Sequence, residues 1–324
     1  MENNALKTMA WSSTLPLSKL KNFFLKLRLE EVIALIFFPI MTYFTFKAFF
    51  YFRSIGESHT IITGAVWRWA ALIAVISLLY TVAKYKPNWR IIRDGLPFGI
   101  CIAIYTNLHD TVHFVNPHDV HYSLIAIDDW LFGVQPCLWA QQFYHPVLTE
   151  FFSFCYVNFF IFAPLVATIL WFQKKYRAFR YVMITTILCF YTGYILYALF
   201  PAAPPRYVLI NEFTRTFSGG IISRSTDSAI NAVLPQSSRC AFPSLHAAVT
   251  TLSLIFAYRY LRWLFWILLP FGIGLILATV YLRHHYVIDL IAGFALCFLT
   301  LWYAPKLEDW WNRKREGSGI KEPI

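Results

Sequence analysis

Charge is what this chain has least of. Asp, Glu, Lys and Arg make up only 14% of its 324 residues, hydrophobic residues make up 58%, and mean hydropathy is +0.52. So small a charged share excludes an ordinary soluble domain, whose surface needs far more polar side chains. Cysteine is sparse as well. The six present follow no metal-ligand or disulfide spacing, and four lie inside apolar runs, so they read as small core residues. No internal repeat, low-complexity tract or soluble domain is visible. The basic N-terminal thirty residues run into the first apolar stretch without a small-residue cleavage site, so no cleaved leader is expected.

What is abundant is apolar sequence in lengths that cross a bilayer as helix. Such runs are Val32 to Phe52, Ala65 to Val82, Gly95 to Val115, Phe151 to Phe172, Tyr181 to Phe200, Phe242 to Tyr260, Trp263 to Leu282 and Tyr286 to Ala304. The expectation is an all-α membrane protein with about eight transmembrane helices. Acidic residues are fewer than basic ones, 17 against 28, giving a net charge of +11. The basic residues are scattered among short connections rather than gathered on one domain, which fits anionic lipid headgroups and argues against nucleic acid as a partner. "LPLSKLKNFFLKLRL" reads as a basic amphipathic helix on the membrane surface.

The basic residues also orient the chain, because short cytoplasmic connections are enriched in them. The N-terminal arm, Lys84 to Arg93, Gln173 to Arg180, Arg259 to Arg262 and the tail from Lys306 are all basic and fall on one side. Asn116 to Leu148, on the other side, has no Lys or Arg. The exception is Pro201 to Ala241, where Arg206, Arg215, Arg224 and Arg239 gather on the outer side and suggest a bound anion. All nine histidines map to that outer face or to span ends opening onto it, so the chemistry is expected to be extracytoplasmic.

In "RHHYVID" His285 and Asp289 are four apart and share a helix face. A carboxylate there can accept a hydrogen bond from one ring N–H and leave the other nitrogen as an outward lone pair, a nucleophile; a purely structural pair at a helix end is the competing reading. In "FPSLH" Pro243 suits a first helical position, so the unpaired amides of a helix start would face the aqueous boundary, with His246 about one turn in and able to protonate a leaving oxygen.

"PSLH", then "HHYVIDLIAG", preceded by "FPAAPPRY", resembles the type 2 phosphatidic acid phosphatase (PAP2) superfamily, and within it the branch of inositol phosphorylceramide synthases and their bacterial relatives. The resemblance covers about Tyr181 to Gly293 and, more loosely, "AIDDWLFGVQP" (Ala126 to Pro136). It implies His285 as the nucleophile that becomes a phosphohistidine, Asp289 as its orienting partner and His246 as the acid that protonates the departing alcohol and then activates the acceptor hydroxyl. It implies Ser244 with neighbouring backbone N–H groups, and Arg206, around the phosphoryl oxygens, and no metal or other cofactor. The superfamily's phosphatases carry a Lys seven positions before the first-motif Arg, an Arg six before the nucleophilic His and a Gly before the second-motif His. Those positions are Leu199, Thr279 and Leu245 here. Arg239 and Arg283 are the nearest substitute cations, and the departures favour the transferase branch.

The organisation expected on this basis is a cytoplasmic basic arm over 1–30, two appended helices over 31–84, a PAP2-like six-helix catalytic domain over 85–305 and a cytoplasmic tail over 306–324. "YTNLHDTVH" sets His109 and His113 at i and i+4 with Asp110 beside them. This imitates a zinc spacing but lacks a third ligand, so Asn107, His109, Asp110 and His113 are better suited to hydrogen-bonding a polyol headgroup or acceptor, or to a structural polar cap. The charge-poor "IDDWLFGVQPCLW" is expected to dip into the interface as an anchor or a cover for the site. The function expected is transfer of a phosphoryl headgroup from a phospholipid donor to a lipid or sugar alcohol. Water as acceptor would make the same site a phosphatase. A transporter or scramblase would instead need discontinuous spans with polar residues at mid-membrane and internal symmetry.

Overall fold

The computed structural model describes residues 21–22, 24–54, 60–85, 90–108, 111–216, 219–233 and 238–320. Among these residues there is no strand, only an isolated bridge between Ala202 and Cys240. The helices are α1 (Leu29–Ser54), α2 (Thr60–Tyr85), α3 (Arg90–Leu108), α4 (Val112–Val115), α5 (His121–Phe132), α6 (Pro136–Ala140), α7 (Pro146–Val157), α8 (Phe159–Phe172), α9 (Tyr176–Leu199), α10 (Pro205–Val208), α11 (Ile221–Val233), α12 (Leu245–Tyr260), α13 (Arg262–Tyr281) and α14 (Val287–Glu316).

Four of them, α1, α9, α13 and α14, are long and apolar enough to cross a membrane, and α7 with α8 makes a fifth span if that bent pair is counted as one. The chain is therefore an all-α integral membrane protein. Eight crossings are not what length and apolarity alone establish, since α12 has only 16 residues and α2 and α3 hold shorter apolar stretches, Trp69–Leu78 and Asp94–Tyr105. The bend between α7 and α8 is 47°. Its local cause is Asn158, whose side-chain amide donates to Phe154 O at 2.6 Å and so competes with the helical ladder.

Helix α9 is central, 72% of its apolar window being buried, whereas α1 is peripheral at 22%. α12 packs against α8, α9, α13 and α14, and α13 against α7. α1, α2 and α3 pack on one another and reach the rest mainly through α3 on α9, with α1 also touching α9 and α4. The expected outer loop over 116–148 contains α5 and α6, and the arginine-bearing loop after α9 contains α11. α14 continues to Glu316, well past the end of its apolar run, and its last turns carry Arg313, Lys314 and Arg315, which complement the negative helix end.

The direction of these helices separates two polar ends. α9 begins among basic residues and ends at the 201–206 turn, while α12 and α14 begin beside that turn and run back. At the basic end Arg180 holds two buried or half-buried carboxylates, Glu30 and Glu308, and Arg28 pairs with Asp94 at 2.8 Å. Twenty-four helical residues at about 1.5 Å each put roughly 36 Å between the two ends of α9.

Candidate active site

Three chain segments meet where α12 and α14 begin. Ala202 donates to Arg239 O at 3.1 Å and accepts from Ala241 N at 3.0 Å, which ties the "FPAAPPRY" turn to the approach of α12. Ser244 N donates to Asp289 O at 2.9 Å, tying the start of α12 to the first turn of α14. At Gly293 the helices touch so closely that an added Cβ would lie 2.4 Å from Ser244 O. Arg206 N donates to Arg283 O at 3.0 Å, which closes the ring of contacts.

Helix α12 starts at Leu245 rather than at Pro243, because Ser244 is the N-cap: its hydroxyl oxygen accepts the Ala247 N–H at 3.2 Å. His246 is therefore the second helical residue, not one turn in. His285 lies two residues ahead of α14 and not on it. Its backbone N–H and that of His284 both end on Thr279 O, at 3.0 and 2.8 Å, so the turn is held by the last residues of α13.

Within this frame the side chains form a single file. Asp289 Oδ2 accepts the Tyr286 N–H at 3.0 Å and lies 3.2 Å from His285 Nδ1, and His285 Nε2 lies 3.1 Å from His246 Nδ1. An oxygen already accepting a backbone N–H is the acceptor for the imidazole too, which puts the His285 proton on Nδ1 and a lone pair on Nε2. That lone pair then accepts from His246 Nδ1–H. All three side chains are buried, Asp289 completely.

The rings are clamped by aromatics that sequence reasoning did not single out. Tyr156 stacks on His246 at 4.8 Å and on His284 at 4.4 Å, with interplanar angles of 25° and 19°, and Phe159 leans on His246 at 4.4 Å. Tyr156 and Phe159 flank the bend at Asn158. Burial, with the positive fields of Arg206, His246 and His285 adding to it, holds the His284 imidazole well below its usual titration range.

The three arginines differ in placement. Arg206 is joined by its backbone to the histidine turn, its charge is felt at Tyr156 and His284, and its guanidinium reaches Asp227 of α11 at 3.5 Å. Arg283 sits in the left-handed region at φ 65°, stacks over Phe213 at 3.8 Å and donates to Arg215 O at 2.6 Å; burial brings its guanidinium down to about 10. Arg239 is paired with Asp119 at 2.7 Å. Asn107 lies in α3 and His113 in α4, while His109 and Asp110 lie outside the described residues, as do most of the 1–30 arm and the first part of its expected surface helix, of which residues 21–22 and 24–25 are helical. All six cysteines are free and buried, including Cys137 and Cys240. Among the described residues no group of His, Cys, Asp or Glu is arranged to hold a metal ion.

Asp128 was legible only as part of an anchoring segment. It is buried, its two oxygens accept from Val287 N and Ile288 N at 2.8 and 2.9 Å, and burial raises its carboxyl above the usual range against the pull of those two N–H groups. Its place in a stripe with His121 and Leu124, at helical spacing, was the available signal.

Ordered first, second and third motifs, a histidine pair at hydrogen-bonding distance and a carboxylate behind one ring define the class. Residues 122–303 match the profile of the PAP2 superfamily, more than half of the chain, and the chain belongs to that superfamily. Over 133 residues it is 31% identical to the inositol phosphorylceramide synthase catalytic subunit AUR1 of Saccharomyces cerevisiae, a match covering 34% of this chain and 30% of the yeast protein. Over 258 residues it is 26% identical to the phosphoinositol dihydroceramide synthase of Bacteroides thetaiotaomicron, covering 70% of this chain and 81% of that protein. The chain thus spans under a third of the yeast relative and about four fifths of the bacterial one. No solved structure matches it significantly.

Proposed function

We propose that the chain is a membrane phosphotransferase that moves a phosphoinositol headgroup from phosphatidylinositol to the primary hydroxyl of a ceramide or dihydroceramide, through a phosphohistidine at His285. The observation that carries this reading is the file Asp289, His285, His246, in which one ring has its proton fixed by a carboxylate and its lone pair turned toward a second ring. In the first half His285 Nε2 attacks phosphorus, the bond from phosphorus to the diacylglycerol oxygen breaks, and His246 gives that oxygen its proton. In the second half His246 takes the proton of the acceptor hydroxyl, the new phosphorus–oxygen bond forms and His285 leaves. Arg206 is the best placed of the three arginines to balance charge on the phosphoryl oxygens, with Arg283 beside the turn; Arg239 and Ser244 support the framework and line the approach. The names of both relatives support the donor and acceptor, and Thr279 in place of a phosphatase arginine supports an alcohol acceptor over water. The site lies at the end of the bundle away from the basic connections, which supports an extracytoplasmic orientation.

The test uses purified protein in vesicles with phosphatidylinositol labelled in the headgroup. With ceramide added, label is expected in a new phosphosphingolipid; label appearing only as free inositol phosphate would reject the transferase reading in favour of hydrolysis. His285→Ala is expected to abolish turnover and any trapped phosphoprotein. His246→Ala should slow transfer from the natural donor far more than from a donor with a good leaving group.

A further inference from the structure

The reaction scheme leaves Asp128 unused, yet its two oxygens are hydrogen-bonded to the first turn of α14. Asp128 lies on the buried stripe of α5, whereas its neighbour Asp129 is exposed. Each of its oxygens takes one backbone N–H of α14, those of Val287 and Ile288. The amides at a helix start need acceptors, but water or a nearby cap ordinarily supplies them. Here the acceptor comes from 159 residues away, and it is a carboxylate withdrawn from water. The preceding amide, that of Tyr286, goes to Asp289. Three consecutive N–H groups directly after His285 therefore end on two carboxylates, one of which also holds the imidazole.

We propose that Asp128 is a positioning residue for His285: gripping the first turn of α14 from across the bundle, it fixes the geometry in which the imidazole meets Asp289 and the phosphorus. This rests on the reading of His285 as nucleophile. Without the grip the turn frays and the 3.2 Å contact to Asp289 becomes one of several arrangements. A displacement of about 1 Å at a reacting group can cost on the order of 10²-fold in rate.

In Asp128→Asn the amide oxygen can still accept one N–H, but its NH2 group opposes the other. The expected result in the vesicle assay is a kcat lower by about 10²-fold with KM nearly unchanged. Nitrogen-15 spectra of the His285 ring should pass from a single Nδ1–H tautomer to a mixture. Asp129→Asn should match the unaltered protein in both. Val287→Pro offers a second route, because it deletes one donor and leaves Asp128 in place. Proline suits the first helical position, and Tyr286 at φ −73° and ψ 159° already has the backbone that precedes proline. It should fold and shift kcat and the ring spectrum in the same direction, and it decides the matter if Asp128→Asn does not fold. Unaltered kcat and ring spectrum in either folded variant overturns the proposal. If the unaltered protein forms no phosphohistidine, the proposed reaction falls, while the ring spectra still decide for or against Asp128.

Discussion

His284 differs from its neighbour His285 in having no carboxylate beside it. It is buried against Tyr156 and surrounded by Arg206, His246 and His285, and its protonated form is therefore disfavoured in the folded protein. The unfolded chain takes up a proton near the ordinary value of 6.5, while the folded chain does not until far lower. Between those two values the unfolded state holds more protons, so stability is full above about 6.5 and is lost as pH falls below it. His284→Phe keeps a ring on Tyr156 and removes the titration. Thermal unfolding in detergent should lose less between pH 7 and pH 5 in that variant than in the unaltered protein, and equal losses would show that His284 is not the group responsible. At the next ring, Asp289→Asn leaves a partner that can donate as well as accept, so His285 can adopt the wrong tautomer. A loss of about 10⁴-fold in kcat is expected by analogy with carboxylate–histidine pairs elsewhere, with donor binding retained; binding measured by equilibrium titration with a slowly reacting lipid analogue would separate the two.

At the scale of the elements, α12 and α14 are brought together at one glycine. In Gly293→Ala the new methyl would meet Ser244 O at 2.4 Å, and neither that backbone atom nor Ala247, 3.1 Å away, can turn aside. The helices must separate, which loosens the Ser244 to Asp289 bond and the facing of the two histidines. Overpacking of this kind costs about 1–3 kcal/mol, and both the unfolding temperature and turnover should fall. Gly193→Ala meets only side-chain atoms of Leu245, Cδ2 at 2.6 Å and Cγ at 2.9 Å, rather than backbone, so its effect on both measurements should be smaller. The contrast also marks what the sequence made legible. That His246, His285 and Asp289 would meet could be read in advance, because the motifs that carry them restrict both residue type and spacing. Asp128 and Tyr156 could not, because each acts on residues more than eighty positions away and nothing in its own neighbourhood announces the partner. The starts of α12 and α14 were read one to three residues early for a related reason: Ser244 caps α12, and the turn before α14 is held by Thr279 of another helix.

For the molecule as a whole, hydropathy gave the all-helical membrane class, and the run of basic connections matched one end of the bundle, but short or bent helices such as α12 and the α7 and α8 pair blur the count of crossings. The two polar ends make orientation testable. Because all native cysteines are buried, single substitutions report cleanly. Arg224→Cys on exposed α11, at the histidine end, should react with a membrane-impermeant thiol reagent applied to intact cells. Lys174→Cys, in the exposed turn between α8 and α9, should react only after permeabilisation. The reverse pattern would turn the site toward the cytoplasm.

The 3.1 Å contact between the rings of His246 and His285 leaves no room for a phosphorus atom between them. Under the proposed reaction the acid and the nucleophile would satisfy each other until substrate arrives, so each transfer would begin with a lipid phosphate prising them apart and standing in as partner to both. On that scheme a molecule that offers no oxygen in exchange for the lost bond would find the gate shut, and idle protein would be guarded against side reactions by the very pair proposed to carry out the transfer.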